Sequence, residues 1–370
     1  MMNNQMCLRT NQGEYTPGDV IYGAVYLHIG TPTEATGIKI SFKGIERCTY
    51  EYECDGKKSL KNETLHVNIH QAELYSQSEC FQFGCYVFPF CFELPQDAPG
   101  SFQYRGSSDK GSWKLDITYV LLAHAEGSDG IQASQSIVVY QASELALAER
   151  SIGCAQDATV EVCRFPLSSK LIHITVKLID NYVETGTNLQ LRLVVTNPTK
   201  VKMTGFNVKL LRYFRLFLKD QAVAKSLLDN MEMVEDVCHI APESGPLEVL
   251  SIASSSYSAM AGNAGLDRLQ IPLRENLTGQ SADLAPSVSS KHVSNRYGLE
   301  VSISFSNNHK ETLILGVPGV LPRKNREWSK WKPSEWVYNA ETKLSSSCFS
   351  VPHQLLRTEA FAGLPSFHVL

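Results

Sequence analysis

The sequence predicts an all-β protein: two tandem antiparallel β-sandwich domains followed by an irregular C-terminal tail. Three observations carry this. Apolar and polar residues alternate at period two in run after run, as expected of strands with one buried face. Turn-forming clusters separate the runs at short intervals: Thr16-Pro17-Gly18, Thr31-Pro32, Gly127–Gly130, Thr185-Gly186 and Asn197-Pro198. Related phrases, EYTPGDVIYGAVYL and NYVETGTNLQLRLVV, open the two halves and suggest an internal duplication.

The first domain is expected over residues 1–140. There Ile21, Val25, Leu27 and Ile29 share one face of a strand. Ile38, Ile40 and Phe42 oppose Lys39, Ser41 and Lys43 on the next. Phe88, Phe90 and Phe92 alternate into one core face, and Pro95 and Pro99 then keep the chain out of a sheet ladder. Gly18 suits a turn, Gly23 a close backbone approach and Gly44 a bulge at a strand end.

Residues 141–166 are expected to connect the domains: QASELALAER holds good helix formers but is short for an independent helix. The second domain, residues 167–322, repeats the alternation in Ile172–Leu178, Leu189–Val195, Phe206–Leu210 and Val301–Phe305. Leu216–Val237 fits either a helix, by the spacing of Ala224, Leu228 and Met231, or an extended segment, which its flanks favour; Ser251–Gly265 reads as a loop insertion, leaving 323–370 as a flexible tail.

Composition bounds the function. With 370 residues, 43% hydrophobic and 19% charged, each half can bury its own core. The net charge of −4 offers no basic field, so nucleic acid is not an expected partner. The polar start MMNNQMCLRTNQGEYTPGD is not a secretory leader, and apolar runs such as Ile117–Ala123 fall far short of a membrane span. A cytoplasmic chain with reduced thiols follows. Cys48, Cys54, Cys80, Cys85 and Cys91 cluster without paired C-x-x-C spacing, and His66 and His70 sit in an alternating stretch. Structural thiols are therefore expected, with no metal and no cofactor. P-loop, G-x-S-x-G and H-E-x-x-H patterns are absent, so no enzyme is expected.

The ordered set Tyr15, Pro17-Gly18-Asp19, Gly23, Ile38, Ile40, Phe42, Gly44, Phe88-Pro89-Phe90, Phe92, Leu94-Pro95, Pro99, Ser101-Phe102, Ile117-Tyr119 and Ala123 resembles the arrestin family, nearer its α-arrestin (arrestin domain-containing) branch. In the second half NYVETGTNLQLRLVVTNPTKVKMTGFNVKLL, LQIPL, YGLEVSISFS and LILGVPGVL continue it, covering roughly Tyr15 to Leu321. The resemblance implies arrestin-like, immunoglobulin-like sandwiches. It also implies a cytosolic scaffold that binds membrane-protein cargo or receptor tails and links them to endocytic sorting or ubiquitination machinery. Paired lysines near the first strand are missing, with Arg9 alone there. No buried Asp and Arg set is assignable, and no PPxY motif reaches ubiquitin ligases. The alternatives are a retromer-like sorting-coat subunit and a secreted adhesion sandwich.

Expected contacts with partners lie at Lys57, Lys58 and Lys61 in the first domain and Lys200 and Lys202 in the second, basic residues beside turns. The tail segment RKNREWSKWKPSEW adds Arg323, Lys324, Arg326, Trp328, Trp331 and Trp336. Three ends suit it: an anionic membrane surface at the plasma membrane or endosomes, a partner, or a strap on the second domain. Its five basic residues against Glu327 are expected to cover the acidic Asp229–Glu248 segment. The final Phe367-His368-Val369-Leu370 suits capture by a PDZ groove.

Overall fold

A computed structural model describes residues 3–54, 57–108, 111–128, 130–141, 155–164, 168–179, 182–199, 201–218, 247–254, 264–272, 274–277, 280–317, 319–344, 351–352 and 354–367. In the first domain one sheet runs β1 (Gln5–Thr10), β3 (Val20–Ile29), β6 (Gly84–Glu93) and β23 (Glu341–Thr342). The larger sheet runs β2 (Glu14–Tyr15), β9 (Gln132–Val139), β8 (Gly111–Glu126), β4 (Gly37–Cys54) and β5 (Lys57–Ser76), with β7 (Phe102–Ser108) also paired to β8.

The second domain repeats the plan. One sheet is β10 (Ala155–Arg164), β11 (Ser168–Leu178), β13 (Asn188–Thr196) and β16 (Ala264–Pro272). The other is β15 (Leu247–Ser254), β14 (Met203–Leu216), β20 (Val293–Phe305) and β19 (Val288–Ser289), with β21 (Lys310–Val317) on β20. Two ribbons complete it: β12 (Tyr182–Glu184) with β22 (Gly319–Leu321), and β17 (Arg274–Leu277) with β18 (Gln280–Asp283).

The alternation predicted from sequence is what fills the cores. Ile21, Val25, Leu27, Ile29, Ile38, Ile40, Phe42, Phe88, Phe90 and Phe92 join one cluster. Ile172, Ile174, Val176 and Leu178 meet Leu189, Leu191, Leu193 and Val195 in the other. Phe42 lies 4.8 Å from Phe92 and stacks on Tyr119 at 5.8 Å, a favourable aromatic arrangement. Gly18 adopts φ +87°, the left-handed turn for which its lack of a Cβ suits it. A Cβ on Gly23 would sit 2.3 Å from the Phe90 ring, so the close approach is real.

Four expectations give way. Residues 155–164 are not connector: β10 pairs with β11 along its whole length, because AQDATVEVCR itself alternates. The Ser251–Gly265 insertion begins and ends inside strands β15 and β16. The bulge at Gly44 interrupts the middle of β4 rather than its end, since β4 runs on to Cys54. The flexible tail is packed where it is described: α1 (Arg326–Lys330), α2 (Glu335–Tyr338), a 3₁₀ turn at Leu355–Arg357 and α3 (Glu359–Ala362) lie on the first domain. Of the stretch read as extended after Leu216, residues 219–237 lie outside the described residues.

Candidate functional site

The tail is held by the outer face of the smaller first-domain sheet. Strand alternation sends Ile21, Val25 and Leu27 inward, so Tyr22, Ala24, Tyr26 and His28 face out, joined by Cys85, Val87 and Cys91 of β6. Yet Ala24, Tyr26 and Val87 are fully buried. Val337, Val351, Leu356, Phe361, Leu364 and Phe367 from the tail cover them. Phe361 packs edge-on against Tyr22 at 5.6 Å and against Phe367 at 5.2 Å. The Tyr26 hydroxyl donates to the Pro365 carbonyl at 2.8 Å. β23 adds parallel to β6, with the Lys343 amide donating to Val87 at 2.9 Å. Burying each such apolar side chain stabilises by about 1.5–3 kcal/mol, well above the contribution of any exposed ion pair.

Where the tail leaves the second domain, Asn325 fastens it. Its amide donates to Glu14 Oε1 at 2.7 Å, its Nδ2 to the Ser136 carbonyl at 2.7 Å, and its Oδ1 caps α1 by accepting from the Trp328 amide at 3.0 Å. Arg9 then lies 3.8 Å from the Trp328 ring centroid and 4.9 Å from that of Trp331, while Trp328 Nε1 donates to the Thr10 carbonyl at 3.0 Å. Each cation–π contact is worth about 0.5–2 kcal/mol. Asn325→Ala removes the cap and the Nδ2 bond to the Ser136 carbonyl. It should weaken docking by about 1–3 kcal/mol, seen as faster protease cleavage after Leu321 with the sandwich cores unaffected.

The sequence-predicted residues fall as follows. Lys57 and Lys58 open β5 at the tip of the β4–β5 hairpin, and Lys61 is half-buried further along it. They stand on a strand at the edge of its sheet rather than on a loop. Lys202 is exposed, its backbone exchanging hydrogen bonds with Ser306; Lys200 lies outside the described residues. Lys57, Lys58 and Lys61 thus stand on a first-domain strand, whereas Lys202 lies just before β14 of the second domain. Arg323, Lys324 and Arg326 are exposed. Arg323 borders, with Arg105, a crevice of about 780 Å³ between the domains that Tyr104, Leu284, Pro286 and Pro322 line. The tryptophans sit against the first domain, not the second: Trp328 and Trp331 about Arg9, and Trp336 5.5 Å from the His28 ring. Residues 229–246 of the acidic segment lie outside the described residues, as do 368–370, while Phe367 is buried.

Sequence reasoning missed the tail's docking face, though its signal was present. VIYGAVYLHI and YVFPFCF are apolar on both faces, as strands covered twice must be. It also missed a polar seam between the domains. There Arg212, 4% exposed, donates from Nε to Asn295 Oδ1 at 2.7 Å and lies 4.1 Å from the Tyr104 ring centroid. Asn295 Nδ2 donates to Pro286 at 2.6 Å and Ala285 at 3.3 Å. Nearby, Glu46 and Glu63 of the first domain meet His292 of the second. Among the described residues no three His, Cys, Asp or Glu side chains gather as a metal site, and no helix is long and apolar enough to cross a membrane.

Residues 5–143 match the N-terminal domain of arrestin (or S-antigen). The chain is also similar to arrestin domain-containing protein A of Dictyostelium discoideum, 30% identical over 129 residues. That alignment spans 31% of this chain and 22% of the relative, so about a fifth of the relative's length is represented. The matched span coincides with the first sandwich, whose Pro17-Gly18 turn, Gly23 approach and phenylalanine-lined β6 are the residues that make it fold. The first domain of this chain is thus similar to the arrestin N-terminal domain and to the corresponding part of an arrestin domain-containing protein.

Proposed function

We propose that the protein is a cytoplasmic, non-enzymatic adaptor, peripheral to the plasma membrane or endosomes. It binds membrane-protein cargo or receptor tails and links them to endocytic sorting or ubiquitination machinery. The observation that carries this reading is the arrestin N-terminal domain over residues 5–143. A second feature supports the mode of binding. β5 lies at the edge of its sheet, with Leu60 65% exposed beside Lys61, so it offers backbone groups for an added strand and a basic flank for an acidic peptide. Lys57, Lys58 and Lys61 are the proposed first-domain contacts, and Lys200 and Lys202 the second-domain ones. Arg323, Lys324 and Arg326 are exposed at the start of the tail and are proposed to meet an anionic surface. Trp328, Trp331 and Trp336 join them when the strap lifts.

The test is proximity labelling in cells with the full chain and with a variant reversing Lys57, Lys58, Lys61, Lys200 and Lys202 to Glu. Membrane-protein and trafficking neighbours should be labelled by the first and lost from the second. Identical neighbour sets would remove the lysines from the reading, and labelling without any membrane or trafficking protein would remove the reading itself.

A further inference from the structure

Where the domains meet, a short loop of the second inserts against the long β4–β5 hairpin of the first. His292 Nδ1 lies 3.2 Å from Glu46 Oε1, and its Nε2 lies 3.4 Å from Glu63 Oε2. Glu46 is 1% exposed and His292 6%. Glu46 Oε1 also accepts from the His292 amide at 2.8 Å and from the Ser290 hydroxyl at 2.6 Å. The other Glu63 oxygen accepts from the Tyr50 hydroxyl at 3.0 Å. Just past the end of β14, the Phe217 amide donates to the His292 carbonyl at 2.7 Å. The charges acting on the imidazole are these two carboxylates. Cys48 of β4 and Tyr119 of β8, which also feel Glu46, stay neutral: burial pushes the thiol up to about 12 and the phenol above its ordinary range.

We propose that Glu46, His292 and Glu63 form a proton-operated latch between the two domains, closed while the imidazole is charged and loosened once it gives up its proton. The imidazolium carries a proton on both ring nitrogens, which lie at ion-pair distance from the two carboxylates, 3.2 Å from Glu46 and 3.4 Å from Glu63. A neutral ring keeps one N–H, so one carboxylate faces a nitrogen lone pair, and the ring's positive charge no longer lies between the buried Glu46 and the half-buried Glu63. Losing the partner of a buried charge is the costly event in such a cluster.

The sign follows from linkage. The adjacent Glu46 carboxylate, then Glu63, hold His292 above its ordinary value against the opposing effect of burial. The closed state therefore binds the proton more tightly than the open one. Its advantage is fully present below about 6.5, the ordinary histidine value, and is lost as pH rises through the raised closed-state value. Between those two values the opening constant climbs about tenfold per pH unit and then levels off. At the acid end, burial lifts the Glu46 carboxyl, but His292 and Ser290 outweigh it and leave the group below its usual range. That contribution is present above the ordinary carboxylate value and fades as pH falls through the depressed one. The seam is tightest between the two limits. This inference goes beyond the adaptor reading and does not depend on any cargo.

The experiment is hydrogen–deuterium exchange on the full chain from pH 5.5 to 8.5, corrected for the intrinsic pH dependence of exchange. It follows peptides covering 43–50 and 289–294 in the wild type, His292→Gln and Glu63→Gln. In the wild type, protection of both peptides should fall up to tenfold per pH unit above about 6.5. In His292→Gln the fall should vanish. Glu63→Gln leaves the Glu46 and Ser290 contacts in place, so it keeps the fall but moves it to lower pH, and it carries the test should His292→Gln fail to fold. Flat wild-type protection across the range, a His292→Gln variant with the wild-type slope, or an unmoved midpoint in Glu63→Gln would each overturn the latch.

Discussion

Phe361→Ala is expected to detach the tail from the first domain. The ring is wholly buried, edge-on to Tyr22 and Phe367, and sits at the centre of the apolar cluster that covers Ala24, Tyr26 and Val87. Truncating a buried phenylalanine costs about 3–5 kcal/mol, counting lost transfer energy and the cavity left behind. The described apolar residues of the tail cluster against Ala24, Tyr26 and Val87 of the sheet, so this loss falls on docking rather than on the sandwiches. Limited proteolysis should show rapid cleavage between Leu321 and Leu364, and a dye for apolar surface should bind the bared sheet. The thermal transition of the sandwiches should stay in place. Unchanged cleavage would mean that the tail is anchored elsewhere, at Asn325 and Arg9. Arg9→Lys is informative beside it, because an ammonium cannot lie as a flat plate between Trp328 and Trp331.

The second large effect is expected at Asn295. Its side chain is fully buried and joins Arg212 to the carbonyls of Ala285 and Pro286, with Tyr297 donating to Ala285 at 2.8 Å alongside. Asn295→Leu preserves the volume and removes every bond that the Asn295 side chain makes, leaving the Tyr297 bond to Ala285 in place. The charged, buried Arg212 Nε loses an acceptor and the half-buried Pro286 carbonyl a donor. Stranded buried groups cost about 1–3 kcal/mol apiece, more for the charged one, so a loss of about 3–5 kcal/mol should follow. Asn295→Asp keeps the acceptor for Arg212 but has no proton for the two carbonyls, so it should recover part of that loss. Chemical denaturation of the three proteins measures the order directly. Equal midpoints for wild type and Asn295→Leu would mean that water replaces the amide without penalty.

Much of the fold was legible in the sequence because local alternation and turn chemistry bear on each strand separately. Ile38, Ile40 and Phe42, or Ile172 through Leu178, declare their buried face without reference to any distant residue. AQDATVEVCR was passed over because its alternating residues are small and interrupted by charge, and its place in the sheet comes from pairing with β11. The tail was read as flexible for a related reason. Its helices are four or five residues long, too short to signal themselves by periodicity, and they exist because a face on another part of the chain accepts them.

The candidate sites divide along the same line. The basic and tryptophan-rich composition of residues 323–336 is visible by inspection, as is the edge-strand lysine cluster at Lys57, Lys58 and Lys61. Nothing local connects Arg9 to Trp328, 319 residues away, or Glu46 to His292, 246 residues away. By itself, the sequence determined the strands, their inward faces, the two-sandwich plan and the resemblance of its first half to arrestins, since each depends on short-range pattern. Only the tertiary structure decided that the tail lies on the first domain and that two carboxylates and an imidazole meet at the seam between the domains. Partners so far apart in the chain acquire their energies only once folding removes the water between them.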